Sequence, residues 1–373
     1  ERVDRKNRTA RHVSVGRIAI VVGVAVVAAC TAAVLPNYRG PRTDHFDGRH
    51  FFNEEPFEEQ QPSELVRWQL SRHRGRWPDS AAIAAPAPPR RVGGGVMRVT
   101  MVNHATVLLQ MDSLNILTDP VWSRSVGIEG QLGVRRHRPP GIAFDSLPPI
   151  DVVLLSHDHY DHMDIPSLLR LQRRYHPRII TGLGNPAYLA SQGVQGAEQL
   201  DWWQAATLKE GVRVTAVPAR HWSGRSLSDR YERLWEGFVI EGARDTVYFA
   251  GDTGWGRLYR ELHARWSRFT LALLPVSPFR PRWYMARKHL SPDDAVRAAI
   301  ATRSAMVIPI HWGTFELGDD GESEAVDTLR AAVAALPAPC RPRLAVLRNG
   351  EHAESVADER DSLTLSTICL RAR

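Results

Sequence analysis

An apolar run, IDVVLLS (150–156), passes without a break into HDHYDHMD (157–164), which holds three histidines and three aspartates. Of everything in the sequence, this junction most constrains the fold. The compact run reads as a strand buried on both faces. The chain must therefore deliver a cluster of ionisable groups to the end of an interior strand. In an extended segment residues two apart point the same way, so His157 and His159 can converge on one cation. Asp161 and His162 follow a turn and can face a second cation nearby. Imidazole and carboxylate suit Zn²⁺ or another divalent metal, and a hydrolytic site keeps one coordination position for water. Four ligands close neither site, so the segment demands partners from elsewhere.

Candidate partners lie on strand-like runs: His221 in VPARHW, Asp252 in YFAGD and His311 in VIPIHW. Loops at strand ends are where α/β proteins place reactive groups. Singly, a histidine after a strand is ordinary packing and an aspartate before Thr-Gly is a common turn. Jointly, after an HxHxDH segment, they point to one metal centre.

Around this centre the pattern is α/β. VMRVTMVNHATVLLQMDSLNILTDP (96–120) predicts three successive strands. Further strands are predicted at 212–219, 238–242, 246–252, 269–276 and 305–312. Helices are predicted at 63–74, at 165–175 behind Asp164 as N-cap, at 291–302 and within 322–335. Strands interleaved with helices imply a layered α/β domain.

The 373 residues carry a net charge of +7, which raises nucleic acid or an anionic membrane as partners. The basic residues are almost all Arg, scattered along the chain and concentrated only before residue 18. With no zinc-finger, helix-turn-helix or RNP-like pattern, we expect no nucleic-acid partner. That basic N-terminus precedes an uncharged run, residues 18–35, about long enough for one bilayer span. Its flanking charge predicts a cytoplasmic start and a main domain on the extracytoplasmic side, in the cell envelope. VAAC (27–30) equally suits lipoprotein processing at Cys30. Residues 1–35 thus read as anchor or signal, and 36–95 as a Pro-rich linker and extension. The other cysteines, Cys340 and Cys369, are too few for a disulfide framework, though they could pair.

The metal pattern resembles the metallo-β-lactamase superfamily, whose signature is HxHxDH followed by His, Asp and His. The resemblance implies an αββα four-layer sandwich over residues 96–350, with 351–373 as a tail. It implies two Zn²⁺: one on His157, His159 and His221, the second on Asp161, His162 and His311, with Asp252 bridging. No Cys lies near His221, which disfavours antibiotic hydrolysis. Over most of residues 40–350 a narrower match appears. HFDGRHFFN, NHATVLLQMD, LTDPVWS, LDWW, FAGDTG, PRWYM and IHWGTFEL resemble N-acylphosphatidylethanolamine-hydrolysing phospholipase D and its bacterial homologues. This implies a phospholipid substrate, Gln131 and His289 as phosphate-holding residues, and Asp161, Asp252 and His289 as the catalytic set. It also allows a homodimer. Arg135, Arg136 and Arg282 are candidates for attracting an anionic head group. Trp202, Trp203, Trp222, Trp255, Trp283 and Trp312 are candidates for an acyl groove. Asp158 stands where the lipase family commonly has Asn, and is expected to add negative charge beside the metals. The competing readings are a lactonase or other small-molecule metallohydrolase, and a non-catalytic envelope protein.

Overall fold

The computed structural model describes residues 38–56, 58–78, 86–93, 95–128, 130, 132–226 and 228–355. The expected anchor or signal (1–35, with Cys30), Gln131 and Cys369 lie outside these residues. Among the described residues no helix is long and apolar enough to cross a membrane.

In chain order the first strands are β1 (Met97–Asn103), β2 (Thr106–Met111), β3 (Leu114–Thr118), β4 (Ser125–Ile128), β5 (Leu132–Arg135), β6 (Val152–Leu155), β7 (Arg178–Gly182) and β8 (Glu198–Leu200). There follow β9 (Ala205–Lys209), β10 (Val212–Val217), β11 (Gly237–Glu241), β12 (Thr246–Phe249), β13 (Phe269–Pro275), β14 (Ser304–Ile310), β15 (Arg343–Leu344) and β16 (His352–Ser355). The helices are α1 (Pro62–Leu70), α2 (Ile165–Tyr175), α3 (Asn185–Ser191), α4 (Leu258–Arg265), α5 (Arg282–Met285), α6 (Pro292–Ala301) and α7 (Glu324–Ala334).

The strands form two seven-stranded sheets, ordered β16-β1-β2-β3-β6-β7-β8 and β15-β14-β13-β12-β11-β10-β9, plus a β4-β5 ribbon. Each sheet is half antiparallel and half parallel. The parallel pairs β3–β6, β6–β7 and β7–β8, and β12–β13, β13–β14 and β14–β15, require crossovers. In the first sheet the β3–β6 crossover carries the β4-β5 ribbon, while α2 and α3 supply those after β6 and β7; in the second sheet α4, α6 and α7 supply them.

Side-chain alternation in β6 fixes the layering. Val152 and Leu154 enter the core between the sheets, beside Phe238, Leu273 and Ile308. Val153 and Leu155 face the opposite way, toward Leu168 and Leu171 of α2. Each such side chain stabilises the fold by about 1.5–3 kcal/mol on burial. The outer face of the second sheet packs against α4, α6 and α7 through Leu262, Ala295 and Leu329. The order is helix, sheet, sheet, helix, as expected.

Three details differ from the sequence reading. Asp164 occupies the N-cap of α2 but makes no side-chain cap bond. Its carboxylate instead accepts from Ser123 Oγ, Ser167 Oγ and the amides of Trp122 and Ser123. The segment read as a linker contributes to the interior: Phe46 and Phe51 pack with Trp202, Leu234 and Trp235. The segment read as a tail begins with β16, which pairs with β1 from Met97↔Ser355 to Thr100↔His352.

Candidate metal centre

The loops leaving the C-terminal ends of β6, β10, β12 and β14 meet at one end of the sandwich. After β6, Ser156 leads into His157, Asp158 and His159. The amides of His162 and Met163 then donate to the carbonyl of His159 at 3.0 and 2.8 Å. That turn brings Asp161 and His162 back beside His157. Gly251 lets the second sheet approach. Its φ is +57°, and a Cβ there would lie 2.6 Å from Ser156 Cβ. Only glycine permits this contact, which seats Asp252 beside the β6 loop.

The seven predicted ligands are brought together, His159 and Asp161 half-buried and the other five buried. His159 Nδ1 lies 2.8 Å from His157 Nε2 and 3.2 Å from His221 Nε2. Asp252 Oδ2 lies 3.1 Å from His311 Nε2, 3.5 Å from His162 Nε2 and 3.7 Å from His221 Nε2. Asp161 Oδ2 lies 3.2 Å from His311 Nε2 and 3.5 Å from His162 Nε2. His289 Nδ1 is 3.7 Å from Asp252 Oδ2, so His289 joins the same cluster.

Outer partners set which ring nitrogen is free. His157 Nδ1 bonds Ser156 Oγ (2.9 Å), which itself donates to Asp119. His221 Nδ1 donates to the Lys288 carbonyl (3.0 Å), and His162 Nδ1 to Asp119 Oδ2 (2.6 Å). Each ring thereby turns a lone pair on Nε2 into the centre. The backbone of His221 is clamped from both sides, its amide donating to Asn53 Oδ1 and its carbonyl accepting from Asn53 Nδ2.

This donor set fits divalent cations. The three facing nitrogens of His157, His159 and His221 repel one another unless a cation lies among them. His162 Nε2, His311 Nε2 and Asp252 Oδ1 are buried without a hydrogen-bond partner. Burial holds His157, His159 and His221 well below the imidazole range, so they offer neutral nitrogens. His289 falls for the same reason, to about 4. Burial would raise the carboxylates, but His162 beside Asp161 and His311 beside Asp252 hold both well below the carboxylate range. Conversely, burial would lower His162 and His311, yet Asp252 foremost holds His162 far up and raises His311 to about 9. The place demands positive charge.

Two residues of this centre escaped the sequence reading. Asp119, fully buried after β3, bonds the amide and hydroxyl of Ser156 as well as His162. His104, in the β1–β2 turn with φ +44°, sets Nε2 3.1 Å from Asp161 Oδ2 and packs its ring 3.9 Å from that of His311. Burial first, then His311, lowers His104 to about 3. Both belong to quoted motifs, LTDP and NHAT, and a polar residue ending an apolar strand was the available signal. Replacing Asp119 by Asn is expected to lower metal affinity about 10–100-fold, measured by competition with a chromophoric chelator.

Several expectations are corrected. Asp158 does not face the centre. Its Oδ2 accepts from Arg233 Nε at 2.6 Å and its Oδ1 from the Gly224 amide at 2.7 Å, in a fully buried cluster with Asp229. Arg136 is committed to the carbonyls of Ser123 and Val121, and Arg282 to the His289 carbonyl and Asp294. Arg282 thus positions His289 rather than meeting a ligand, while Arg135 is exposed on β5. Of the tryptophans, Trp222 abuts the centre, 4.3 Å from His159. Trp202 is buried against His45, Trp255 stacks on Tyr259, and Trp203 and Trp312 pack on the outer core.

Fold and site together define a metallo-β-lactamase-type sandwich, two sheets between helices with a His/Asp centre at their seam. Residues 114–312 match the Beta-lactamase superfamily domain family, and the chain belongs to that family. An uncharacterized protein of Mycobacterium tuberculosis is 36% identical over 308 residues, covering 80% of this chain and 79% of that protein. The N-acyl-phosphatidylethanolamine-hydrolyzing phospholipase D 1 of Caenorhabditis elegans is 35% identical over 231 residues. That match covers 59% of this chain and 64% of the worm protein, less than two thirds of its length. Among solved structures, the isothiocyanate hydrolase from Delia radicum gut bacteria superposes with a TM-score of 0.54 at 18% identity. It covers 69% of this chain and 98% of that one, a likeness of fold.

Proposed function

We propose that this protein is a metal-dependent hydrolase, holding two Zn²⁺ or related divalent ions, that cleaves phosphodiesters of N-acylphosphatidylethanolamine type. One observation carries the hydrolase reading: His157, His159, Asp161, His162, His221, Asp252 and His311, drawn from both sheets, converge with their lone pairs turned inward. His157, His159 and His221 would hold one ion, Asp161, His162 and His311 the other, and Asp252 would lie between them. Bound there, such ions polarise a phosphoryl oxygen and let water lose a proton near neutral pH.

The chain's own residues do the rest. Water's oxygen bonds to phosphorus and the P–O bond to the N-acylethanolamine oxygen breaks. The proton lost by water ends on that leaving alcohol. Asp252, buried and ionised, is the relay for it. His289, its main chain fixed by Arg282 and its ring beside Asp252, directs a nitrogen at the phosphoryl oxygens, with Gln131 assigned to the same task. His104 and Asp119 keep Asp161 and His162 aimed.

The lipid reading is supported by the sequence motifs, by the worm relative and by the surface. Trp68 pins α1 against Tyr284, leaving Leu65, Val66 and Leu70 exposed near exposed Trp283, with Arg67 over that indole. An amphipathic face of this kind suits a bilayer interface. The basic and apolar segments before residue 36 support a tethered, extracytoplasmic placement.

The test is incubation of the metal-loaded full chain with N-acylphosphatidylethanolamine, products being followed by mass spectrometry. N-acylethanolamine and phosphatidic acid are expected from the native protein and not from His157→Ala. If neither forms while a simple phosphodiester is cleaved, the lipid assignment falls and the hydrolase stands. Stripping the ions with a chelator is expected to abolish turnover, and adding Zn²⁺ back to restore it.

A further inference from the structure

One indole separates the centre from a second group of charges that the proposed reaction does not use. Over the Trp222 ring lie Arg230, 4.6 Å from the ring centre, and Lys288, 4.7 Å away. Lys288 Nζ reaches Tyr231 Oη at 3.3 Å. All three groups surround Glu59. Tyr231 Oη donates to both its carboxylate oxygens at 2.6 and 2.7 Å, with Arg230 Nη2 at 3.7 Å and Lys288 Nζ at 3.9 Å.

The two sides of this contact differ. The Lys288 side chain is 2% exposed, whereas that of Glu59 is 50% exposed. Glu59 sits on a stretch with no helix or strand of its own, just ahead of α1. Beside it opens a cavity of about 620 Å³ lined by Glu59, Arg230, Tyr231, His50 and Phe52. Two cations and a phenol thus hold one carboxylate at the wall of a cavity, and that carboxylate hangs from irregular chain. Arginine with a second cation is how proteins bind oxyanions.

We propose that Arg230, Tyr231 and Lys288 form a subsite for an oxyanion separate from the scissile group, a carboxylate or phosphate, and that Glu59 occupies it until a ligand bearing such an anion displaces it. Exchange of one anion for another conserves the local charge, so opening costs little electrostatically. The proposal rests on the metal-centre reading for where the reaction occurs. N-acylphosphatidylethanolamine, whose only anion is its diester, would leave Glu59 in place, whereas a diester whose head bears a second anion would displace it.

The metal-loaded full chain is titrated with sodium sulfate and, separately, sodium acetate, following tryptophan fluorescence. Native protein, Glu59→Gln, Tyr231→Phe and Glu59→Gln/Lys288→Met are compared. Removing the internal occupant is expected to tighten binding of one anion about tenfold, as when a site filled about nine-tenths of the time is emptied. Lys288→Met in the Glu59→Gln background is expected to cancel that gain, and Tyr231→Phe, which loosens Glu59 but also removes a donor to the incoming anion, to give no tenfold gain. Tighter sulfate binding marks a phosphate-like ligand, tighter acetate binding a carboxylate. Unchanged dissociation constants for both anions in Glu59→Gln, or a gain that survives in the double variant, would overturn the proposal. Because the readout is binding, failure to cleave any phosphodiester would remove the function proposed above without altering this result.

Discussion

Asp252→Ala is expected to lower phosphodiester turnover by about 10³-fold or more, the equivalent of several kcal/mol of lost transition-state stabilisation. The reason is positional. Its Oδ2 lies within 3.7 Å of nitrogens on His162, His221, His289 and His311, so one carboxylate joins both halves of the centre. Removing it leaves the histidines facing one another with their main counter-charge gone. Metal content should fall together with turnover, and far-UV circular dichroism should be unchanged. Elemental analysis of the purified variant separates the two effects. Native turnover with full metal content would mean that Asp252 is a bystander.

The second large effect concerns stability. Arg233 is fully buried, bonded to Asp158 and Asp229, and burial of the guanidinium is outweighed by these two carboxylates, which raise its pKa. Arg233→Met should cost about 3–5 kcal/mol, because two buried carboxylates are left without their cation. Guanidinium-chloride unfolding would measure it as a lower midpoint. Adding Asp158→Asn and Asp229→Asn should recover most of the loss, since the penalty lies in the stranded charges. A single variant as stable as the native chain would show that water already screens the cluster.

The same residues mark how far the sequence can be read. The ligands were legible because their signal is local: strand-like runs that end in His or Asp, and the two-residue alternation that aligns His157 with His159. That alternation also places Asp158 on the opposite side, so its charge belongs to Arg233 and not to the metals. Asn53 carries no local mark of its role, and Asp119 and His104 carry only a weak one, a polar residue ending an apolar strand. Each acts through a neighbour far along the chain, which only sheet pairing and turn geometry bring near. Short edge elements were equally silent. β16 exists because β1 offers it a partner, and Glu198–Leu200 becomes a strand through its parallel pairing with β7. The N-terminal extension looked like a linker because prolines break it up, yet Phe46 and Phe51 are buried by aromatic neighbours drawn from residues 202–235.

The centre draws its donors from both sheets, from residue 157 in one to residue 311 in the other. No smaller piece of the chain, neither hairpin nor crossover, carries a complete set. A cation bound here is therefore coupled by mass action to the docking of one half of the molecule on the other. At a free concentration 1,000 times its dissociation constant, each such ion adds about 4 kcal/mol to the assembled form. Metal supply would then govern the lifetime of the fold as well as its chemistry, and a depleted protein would be expected to part first along the seam between the sheets.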